Sequence, residues 1–447
     1  MSIEPRRVVT AAESEIASRF AARVAEEPAA ITRRREAAIA ALARDGLPNR
    51  RVEAYRYTDL KAAVRAFHPA AAPADAAQAE TAFARAFAGL SALDHRIVFV
   101  DGHYSPALSR LATLDGAVTV SPLAPDLLAD SPHAQAVGHL ADGVAADPVV
   151  ALNTAFFGDG TVIHVAPDAT IAKTVAIVHI ATGSAPASTH VRHVVTIGRG
   201  ATVRFFEQHA GAEAAERQSN TVVELDIGPR AQVAWARLQE EGLSSLHLGS
   251  LVVRLGEAAE FDHLSVVFGA GLSRHQGFVT FAGPHARAGF ETVTLIDGRR
   301  QADATLVVNH AVPDCVSRER FRAVIDDEAR SIVQGRINVA PQAQRTDGRM
   351  MTQALVIGEG AESINKPELE IFADDVQCAH GATSGRLDPQ AVFYLRSRGL
   401  PRREAEALLV EAFLAEALVA FPDEALAEAL AERLRARLAA RGAEVAA

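Results

Sequence analysis

Two side chains with metal-binding chemistry stand close together in the last third of the sequence, at Cys378 and His380. The run around them is typical of an extended strand, in which residues two positions apart leave the same face. The thiol and the imidazole could therefore approach one soft metal ion together. A closed structural zinc site needs four ligands, so the others would come from elsewhere in the fold or from another chain. The alternative is that Cys378 is a buried strand residue and that His380 bonds a turn carbonyl.

The sequence carries no other signature of catalysis. It has no Gly-x-x-x-x-Gly-Lys-Ser/Thr phosphate loop, no His-Glu-x-x-His, no Gly-x-Ser-x-Gly and no paired Cys-x-x-Cys. Sixteen histidines are scattered singly, and spacing distinguishes only His380 among them. We therefore expect no ATP hydrolysis by the phosphate-loop route.

Composition restricts the partners and the compartment. The 447 residues are 49% hydrophobic, with a net charge of −10 and a pI near 5.9, which argues against nucleic acid as the main partner. The N-terminal run MSIEPRRVVTAAESEI lacks the apolar core of a signal peptide, and no eighteen uncharged apolar residues run together. Two cysteines are too few for a disulfide framework. We expect a cytosolic protein that has no membrane segment.

Residues 1–92 are predicted to form an N-terminal helical region. Ala, Glu and Arg dominate there, and apolar residues follow helical spacing between Glu13 and Arg44. Gly46-Leu47-Pro48-Asn49 breaks the helical pattern, and the proline-containing run from His68 to Ala79 is typical of a loop.

Residues 93–387 are predicted to form a β-helix core, because short runs rich in Val, Ile, Thr and Phe alternate with turn residues from Arg96 onward. A recurring phrase places an alanine four residues after an apolar residue. Its clear copies begin at Val165, Ile197, Ile227 and Leu255, and weaker copies begin at 282, 325 and 357.

The starts of these phrases are 27 to 43 residues apart, a loose period that favours stacked coils of two or three short strands. The small alanine would let the chain turn a tight corner. The alternative is a β-sandwich, whose turns repeat every 8 to 12 residues.

Residues 388–447 are predicted to form a C-terminal helical domain. Asp388-Pro389 is a helix start, and Gly399 with Pro401 supplies a stop. Leucines at 426, 430, 434 and 438 recur at helical spacing beyond it. Two roles are open for these helices: closing the end of the solenoid, or offering an apolar surface to a partner.

The motifs around Cys378 resemble those of the SufB/SufD family, the paralogous scaffold subunits of the SufBCD iron–sulfur cluster assembly complex. The resemblance rests on three segments, DDVQCAHGAT (374–383), FYLRSRG (393–399) and KPELEI (366–371), and extends through QGRI (334–337) to EAYRYT (53–58). SufB-type chains carry a cysteine on the strand before a Leu-Ile-Gly turn. Thr352 is nearest to that position here, which favours the SufD branch.

The resemblance implies a mainly β fold, a right-handed parallel β-helix flanked by helical regions, and a non-catalytic scaffold that pairs with a SufB paralogue. It also implies binding of the SufC ABC-type ATPase through the C-terminal helices, and a homodimer when SufB is absent. Cys378 and His380 would lie at the SufB–SufD interface, where iron or a nascent cluster is handled transiently, and no tightly bound cofactor is expected in isolation. The ATPase-docking candidates are Phe393, Tyr394, Arg398, Leu408, Leu409 and Phe413.

A second class of function is a carbohydrate lyase or hydrolase, since β-helix folds often act on polysaccharides. That chemistry requires clustered carboxylates and aromatic sugar platforms. One Trp and four Tyr in the whole chain argue against it.

Overall fold

The computed structural model describes residues 8–23, 27–90, 93–111, 114, 116–127, 131–211 and 216–444. The outermost residues of the two predicted helical regions, 1–7 and 445–447, lie outside this range. Within it, no helix combines the length and the apolar character needed to cross a membrane.

Helices dominate the N-terminal part, as the sequence predicts. They are α1 (Ala11–Ala21), α2 (Ala29–Asp45), α3 (Leu60–Ala63) and α4 (Ala76–Ala86), with a 3-10 turn at Glu53–Tyr55. Thr10 and Glu13 form a reciprocal capping box at the start of α1. Gly46 ends α2 with a φ of 74°, a conformation that favours glycine, so the predicted break is confirmed.

Three further helices, α5 (Leu123–Asp126), α6 (Pro132–Ala136) and α7 (Pro148–Phe156), interrupt a region that the sequence analysis assigned to strands. The apolar composition of α7 suggested a strand. However, Asp147 caps the helix through the backbone N–H groups of Val149 and Val150, with Pro148 in the first turn. The same Asp-Pro signal was recognised at 388 and overlooked here.

The remaining chain forms two long sheets. The strands are β1 (His95–Val100), β2 (His103–Tyr104), β3 (Val118–Pro122), β4 (Asp159–Val165), β5 (Val175–Ala181), β6 (Ala187–Ile197), β7 (Thr202–Gly211), β8 (Arg217–Ile227), β9 (Gln232–Glu240), β10 (Leu246–Leu255), β11 (Glu260–Val267), β12 (Leu272–Phe281), β13 (Arg287–Ile296), β14 (Gln301–His310), β15 (Val316–Ile325), β16 (Arg330–Val339), β17 (Thr346–Val356), β18 (Glu362–Ile371) and β19 (Val376–Gly385).

From β4 onward, successive strands alternate between the two sheets. The ten-stranded sheet has the order β19-β17-β15-β13-β11-β9-β7-β5-β1-β2, and the nine-stranded sheet has the order β18-β16-β14-β12-β10-β8-β6-β4-β3. From β4 onward every pairing is parallel, so each coil contributes one strand to each sheet. The predicted parallel β-solenoid is thus confirmed, with about 7 turns of two strands each, and the β-sandwich is excluded.

The recurring phrase forms corners between the sheets. Its alanine is fully buried at Ala201, Ala231 and Ala259, where a larger side chain would not fit. The copies at 325 and 357 follow β15 and β17, whereas the earlier copies follow even-numbered strands. Treating all the copies as one series was therefore wrong: the 43-residue gap between the starts at 282 and 325 spans one and a half coils.

Cys315 takes the corner position that Ala259 and Ala286 occupy in the two preceding coils, since each is completely buried and directly follows a residue with a positive φ. In the next coil Thr346 takes this position, and Ala343 is a further buried alanine of the same corner. Burial raises the pKa of the Cys315 thiol to about 11, so it stays protonated. This cysteine is a packing residue.

The C-terminal helices are α8 (Pro389–Ser397), α9 (Arg402–Val419) and α10 (Glu424–Glu444). Asp388 caps α8 by accepting the backbone N–H of Gln390 at 2.9 Å, and Gly399 follows with a φ of 94°, which confirms the predicted helix.

Of the two roles that the sequence left open for these helices, α9 and α10 do not perform the closing of the solenoid end. Leu414, Leu418 and Leu430 are buried against the outward side chains of the ten-stranded sheet, such as Phe206 and Leu238. Parallel strands with apolar residues on both faces need cover on the outside, which α9 and α10 provide.

The two ends of the solenoid differ. At the first end, β2 and β3 pair antiparallel with β1 and β4 and finish the sheets. At the last end, β18 and β19 each pair with one neighbour, and nothing among the described residues pairs with their second edges. The last coil is therefore open.

We predict that Cys315→Ala is nearly neutral, lowering the free energy of unfolding by less than about 1.5 kcal/mol, because alanine fills this corner in the two preceding coils. The matched change Ala343→Leu should cost about 1–3 kcal/mol through overpacking. Urea denaturation of both variants measures the difference. A Cys315→Ala penalty as large as that of Ala343→Leu would contradict the corner assignment.

Candidate functional site

Cys378 and His380 lie on β19, at the rim of the open last coil. In the parallel register of β17 and β19, Cys378 is opposite Gly348 and His380 is opposite Met350. Gly348 and Met350 are buried on the inner face of β17. Paired residues of neighbouring strands share a face, so the thiol and the imidazole both point inward, as the spacing predicts.

Their accessibility follows from the missing next coil. Cys378 is half-buried and packs against the interior apolar cluster, whereas His380 is exposed. No hydrogen bond or ion pair within the described part of the chain holds His380. The imidazole is thus free to bind a ligand that arrives at the open end.

The thiol of Cys378 is not activated in the isolated chain. Burial raises its pKa above the ordinary value, and the negative charges of Asp347 and Glu319 raise it further. A hydrogen bond from the backbone N–H of Gly348 offsets part of this effect. The thiolate is the form that binds metals, so a metal ion or an approaching positive group must displace the proton.

A buried carboxyl group lies two coils beneath this rim, and the sequence analysis missed it. Phe290, Glu319, Met350 and His380 occupy successive strands at one register position of the interior. Glu319 is fully buried, and neither of its carboxyl oxygens has a hydrogen-bond partner. Burial raises its pKa to about 8, and the nearby Ser317 and Arg318 offset only part of the shift.

The facing sheet makes room for Met350. Gly335 lies opposite, and a methyl group added there would collide with the end of the Met350 side chain. This gives a packing reason for the glycine in the 334–337 motif.

The N-terminal motif is attached to the same region. Lys366 on β18 forms ion pairs with Glu53 and Glu368, both at 3.0 Å. Arg274 lies over the Tyr55 ring at 4.2 Å and donates to the Ala54 carbonyl at 3.1 Å. Segments more than 200 residues apart therefore meet on the outer face of the nine-stranded sheet.

The ATPase-docking candidates differ in exposure. Phe393 and Tyr394 on α8 are 74% and 57% exposed, and Leu408 is 46% exposed. The Arg398 guanidinium lies 5.2 Å from the Tyr394 ring centroid on the same exposed surface. Leu409 and Phe413 are half-buried, and Phe413 packs against the apolar cluster beneath α9. The structure thus brings four of the six candidates to the surface.

Comparison with known proteins identifies the family. Residues 179–413 match the model of the SUF system FeS cluster assembly SufBD core domain, and residues 19–177 match that of the SufBD protein N-terminal region. The iron–sulfur cluster assembly protein SufD of Escherichia coli is 31% identical over 86% of this chain and 88% of its own length. The SufBD family protein slr0076 of Synechocystis is 28% identical over 89% of this chain and 88% of its own length.

The chain therefore belongs to the SufBD family of the SUF iron–sulfur cluster assembly system. The resemblance predicted from the motifs is confirmed, and so is the similarity to SufD. Its role lies in SUF iron–sulfur cluster assembly, and the carbohydrate chemistry left open by the sequence is not needed to explain the fold.

We predict that Glu319 makes the protein less stable as the pH rises. Its pKa is about 8 in the folded chain against an ordinary value of 4.5, so the folded state holds a proton that the unfolded state has released. Stability from this group is complete below about pH 4.5 and falls by up to about 1.4 kcal/mol per pH unit until about pH 8.

Glu319→Gln should remove this pH dependence. The free energy of unfolding of the variant, measured by urea denaturation, should therefore rise relative to that of the natural chain between pH 5 and 8. Glu362→Gln, which changes an exposed carboxylate of β18, is the control. Parallel stability profiles for the natural chain and Glu319→Gln would refute the prediction.

Proposed function

We propose that this chain is a non-catalytic scaffold subunit that pairs with a SufB-type paralogue through its open last coil and holds iron or a nascent cluster at that junction. The observation that carries the proposal is the position of Cys378 and His380 beside the two bare edges of β18 and β19. Unpaired edges present rows of N–H and C=O groups that readily accept strands from another chain.

The ligand set supports a shared site. One thiol and one imidazole give two of the four ligands that a tetrahedral iron or zinc centre uses. A partner strand stacked on β19 would bring further side chains to the same inner face. The cluster is cargo in this scheme, and the junction is the place where both chains contact it.

Apolar surface at the open end also supports pairing. Phe372, in the corner between β18 and β19, is 68% exposed, and Ile371 beside it is 38% exposed. Large exposed aromatic side chains are typical of interfaces. In the absence of a paralogue, a second copy of the chain offers the same edges, so a two-fold homodimer through this end is the natural substitute.

We assign the docking of a SufC-type ATPase to α8. This helix buries none of its side chains, although it carries Phe393 and Tyr394. An amphipathic helix with exposed aromatic residues is suited to a groove on a partner.

The connection between α8 and β19 is short, since β19 ends at Gly385 and α8 begins at Pro389. A pull on α8 would therefore act directly on the strand that carries Cys378 and His380. This arrangement suits a scaffold in which a nucleotide-driven motor opens or closes the junction.

We predict that His380→Ala lowers the activity of cluster-dependent enzymes in cells at least about tenfold while the complex still assembles, because a ligand is lost and the strand backbone is kept. Gln377→Ala is the matched control, since Gln377 is exposed on the same strand and points to the opposite face. Enzyme assays and native mass measurement of the co-expressed complex give the two readouts. Unchanged enzyme activity in the His380→Ala strain would exclude His380 from the site.

We predict that replacing Phe393 and Tyr394 by Ser weakens ATPase binding by about 2 kcal/mol or more, about 30-fold in Kd, since exposed aromatic residues dominate interface energetics. The fold should survive because α8 contributes no buried side chain. Val419→Ser on α9, a residue 79% exposed, is the control.

Titration calorimetry with the ATPase measures the loss, and undiminished affinity would contradict the assignment. Deletion of residues 388–447 is a poorer experiment, because it would uncover the apolar face beneath α9 and α10.

A further inference from the structure

A second group of potential metal ligands lies inside the first coils of the solenoid, far from the open end. His179 on β5, His193 on β6, and Glu207 with His209 on β7 all lie in the interior between the two sheets. Ile177 and Phe205 lie two positions before His179 and Glu207 on the same strands, and both belong to the interior apolar cluster. Residues two apart share a face of a strand, so the potential ligands also face inward.

The donor atoms are close enough to share an ion. The ligand atoms of His179, Glu207 and His209 all lie within 4.8 Å of one another. The Nε2 atoms of His179 and His193 are 3.3 Å apart. Two imidazoles bound at about 2.0–2.1 Å to one tetrahedral ion would have their nitrogens about 3.3 Å apart.

Neighbouring groups orient these donors. Thr161 Oγ1 is hydrogen-bonded to Nδ1 of His193 at 2.8 Å, which leaves Nε2 directed toward His179. Trp235 donates its indole N–H to Glu207 at 3.0 Å. Metal-binding histidines and carboxylates are usually held by such outer hydrogen bonds.

The protonation states suit metal binding. Burial lowers the pKa of His193 to about 4 and holds that of His179 well below its usual range, so both are neutral at pH 7. Burial alone would raise the pKa of Glu207, but the hydrogen bond and charge of His209 and the Arg237 guanidinium bring it well below the ordinary value.

The charged groups around the cluster favour a bound cation. The buried carboxylates of Glu207 and Glu241 face one buried guanidinium, that of Arg237. Glu241 also accepts a hydrogen bond from His247 at 2.6 Å. Two buried carboxylates thus stand beside a single guanidinium, and a bound cation would offset charge that is costly to bury.

A small cavity adjoins the cluster. It has a volume of about 20 Å³, large enough for one water-sized species, and touches His179, His209 and Glu241. Ala181, Ala210 and Glu241 line both this cavity and a surface groove of about 720 Å³ between α4, α10 and the ten-stranded sheet. The cluster thus lies close to a solvent-filled groove.

We propose that His179, His209 and Glu207, assisted by His193, form a binding site for one divalent first-row transition metal ion. Two imidazoles and one carboxylate are a donor set typical of non-haem Fe(II) and also suit Zn(II). His209 now donates from Nε2 to Glu207 at 2.6 Å, and its ring stacks on that of His179 with centroids 4.5 Å apart. Binding requires one ring to turn and the His209 proton to leave.

This site is separate from the junction proposed above. From β7 to β19 there are six strand spacings of about 4.8 Å, or about 29 Å. The inference does not depend on pairing with another subunit, and it adds a resident ion in a chain for which transient cargo alone was expected.

The test is Co²⁺ binding to the purified, chelator-treated full chain, followed by visible absorption and metal analysis. The double variant Cys378→Ala/His380→Ala removes the rim ligands and should still bind one equivalent with Kd changed less than twofold. His179→Gln should raise Kd at least tenfold. His310→Gln, a buried interior histidine outside the cluster that contacts Ser317, should bind like the natural chain.

Circular dichroism and thermal melting establish that each variant folds, and Glu207→Gln replaces His179→Gln if the latter does not. Anomalous diffraction from Co²⁺-soaked crystals of the natural chain should place a peak between β5, β6 and β7. Absence of that peak, no binding by the rim double variant, or unchanged affinity in a folded cluster variant overturns the proposal. None of these results bears on partner pairing through the last coil.

Discussion

Backbone pairing between successive coils is the constraint on which the rest of this structure depends. A coil of two strands buries nothing by itself and leaves four rows of backbone groups without partners, so its stability comes from the coils above and below. The chain satisfies this requirement with registered parallel pairs over nearly 300 residues, and side chains 28 to 32 residues apart bond across the stack. Only the strands at the two ends of the stack lack a backbone partner on one side, and the two ends differ in structure.

The stacking also determines what the interior can hold. Each inward position forms a column that runs through all the coils, so one polar residue must be accommodated by its neighbours above and below. In the first coils, polar residues occupy neighbouring columns. There His209 is hydrogen-bonded to Glu207, and its ring stacks on that of His179. Near the last coil, the carboxyl group of Glu319 stands between Phe290 and Met350 of its column without a hydrogen-bond partner. Polar groups also occur inside the coils between them, where Arg237, His247, His263 and His275 are buried beside the apolar cluster.

Much of this could be predicted from the sequence, because the signals are local. The corner alanines revealed the coil, the Asp-Pro pair revealed α8, and the spacing of Cys378 and His380 placed both on one face. The repeats at 282 and 325 were assigned to the same corner of the coil, although they follow β12 and β15 and so lie at different corners. The two corners have similar sequences, which explains the error.

The features that were missed depend on register. Glu319 and His380 are two coils apart in the chain, and only the strand pairing shows that they share a column. The histidines of the interior cluster were dismissed because each looks isolated in sequence. The position of α9 and α10 was left open, since an amphipathic pattern shows that a helix has a partner surface without showing which one. The same apolar helix face could pack against the side or the end of a solenoid, so the pattern does not distinguish the two.

The difference between the two ends of the solenoid limits how the chains can assemble. A stack that is bare at both ends could add members indefinitely and grow into a filament, as cross-β fibres do. Here β2 and β3 are strands of only two and five residues that run antiparallel to their neighbours, so the first end offers little edge to another chain. Joining the long edges of two last coils therefore leaves a pair with little edge for further growth. The small hairpin-like strands at the start of the solenoid therefore act as a guard against polymerisation.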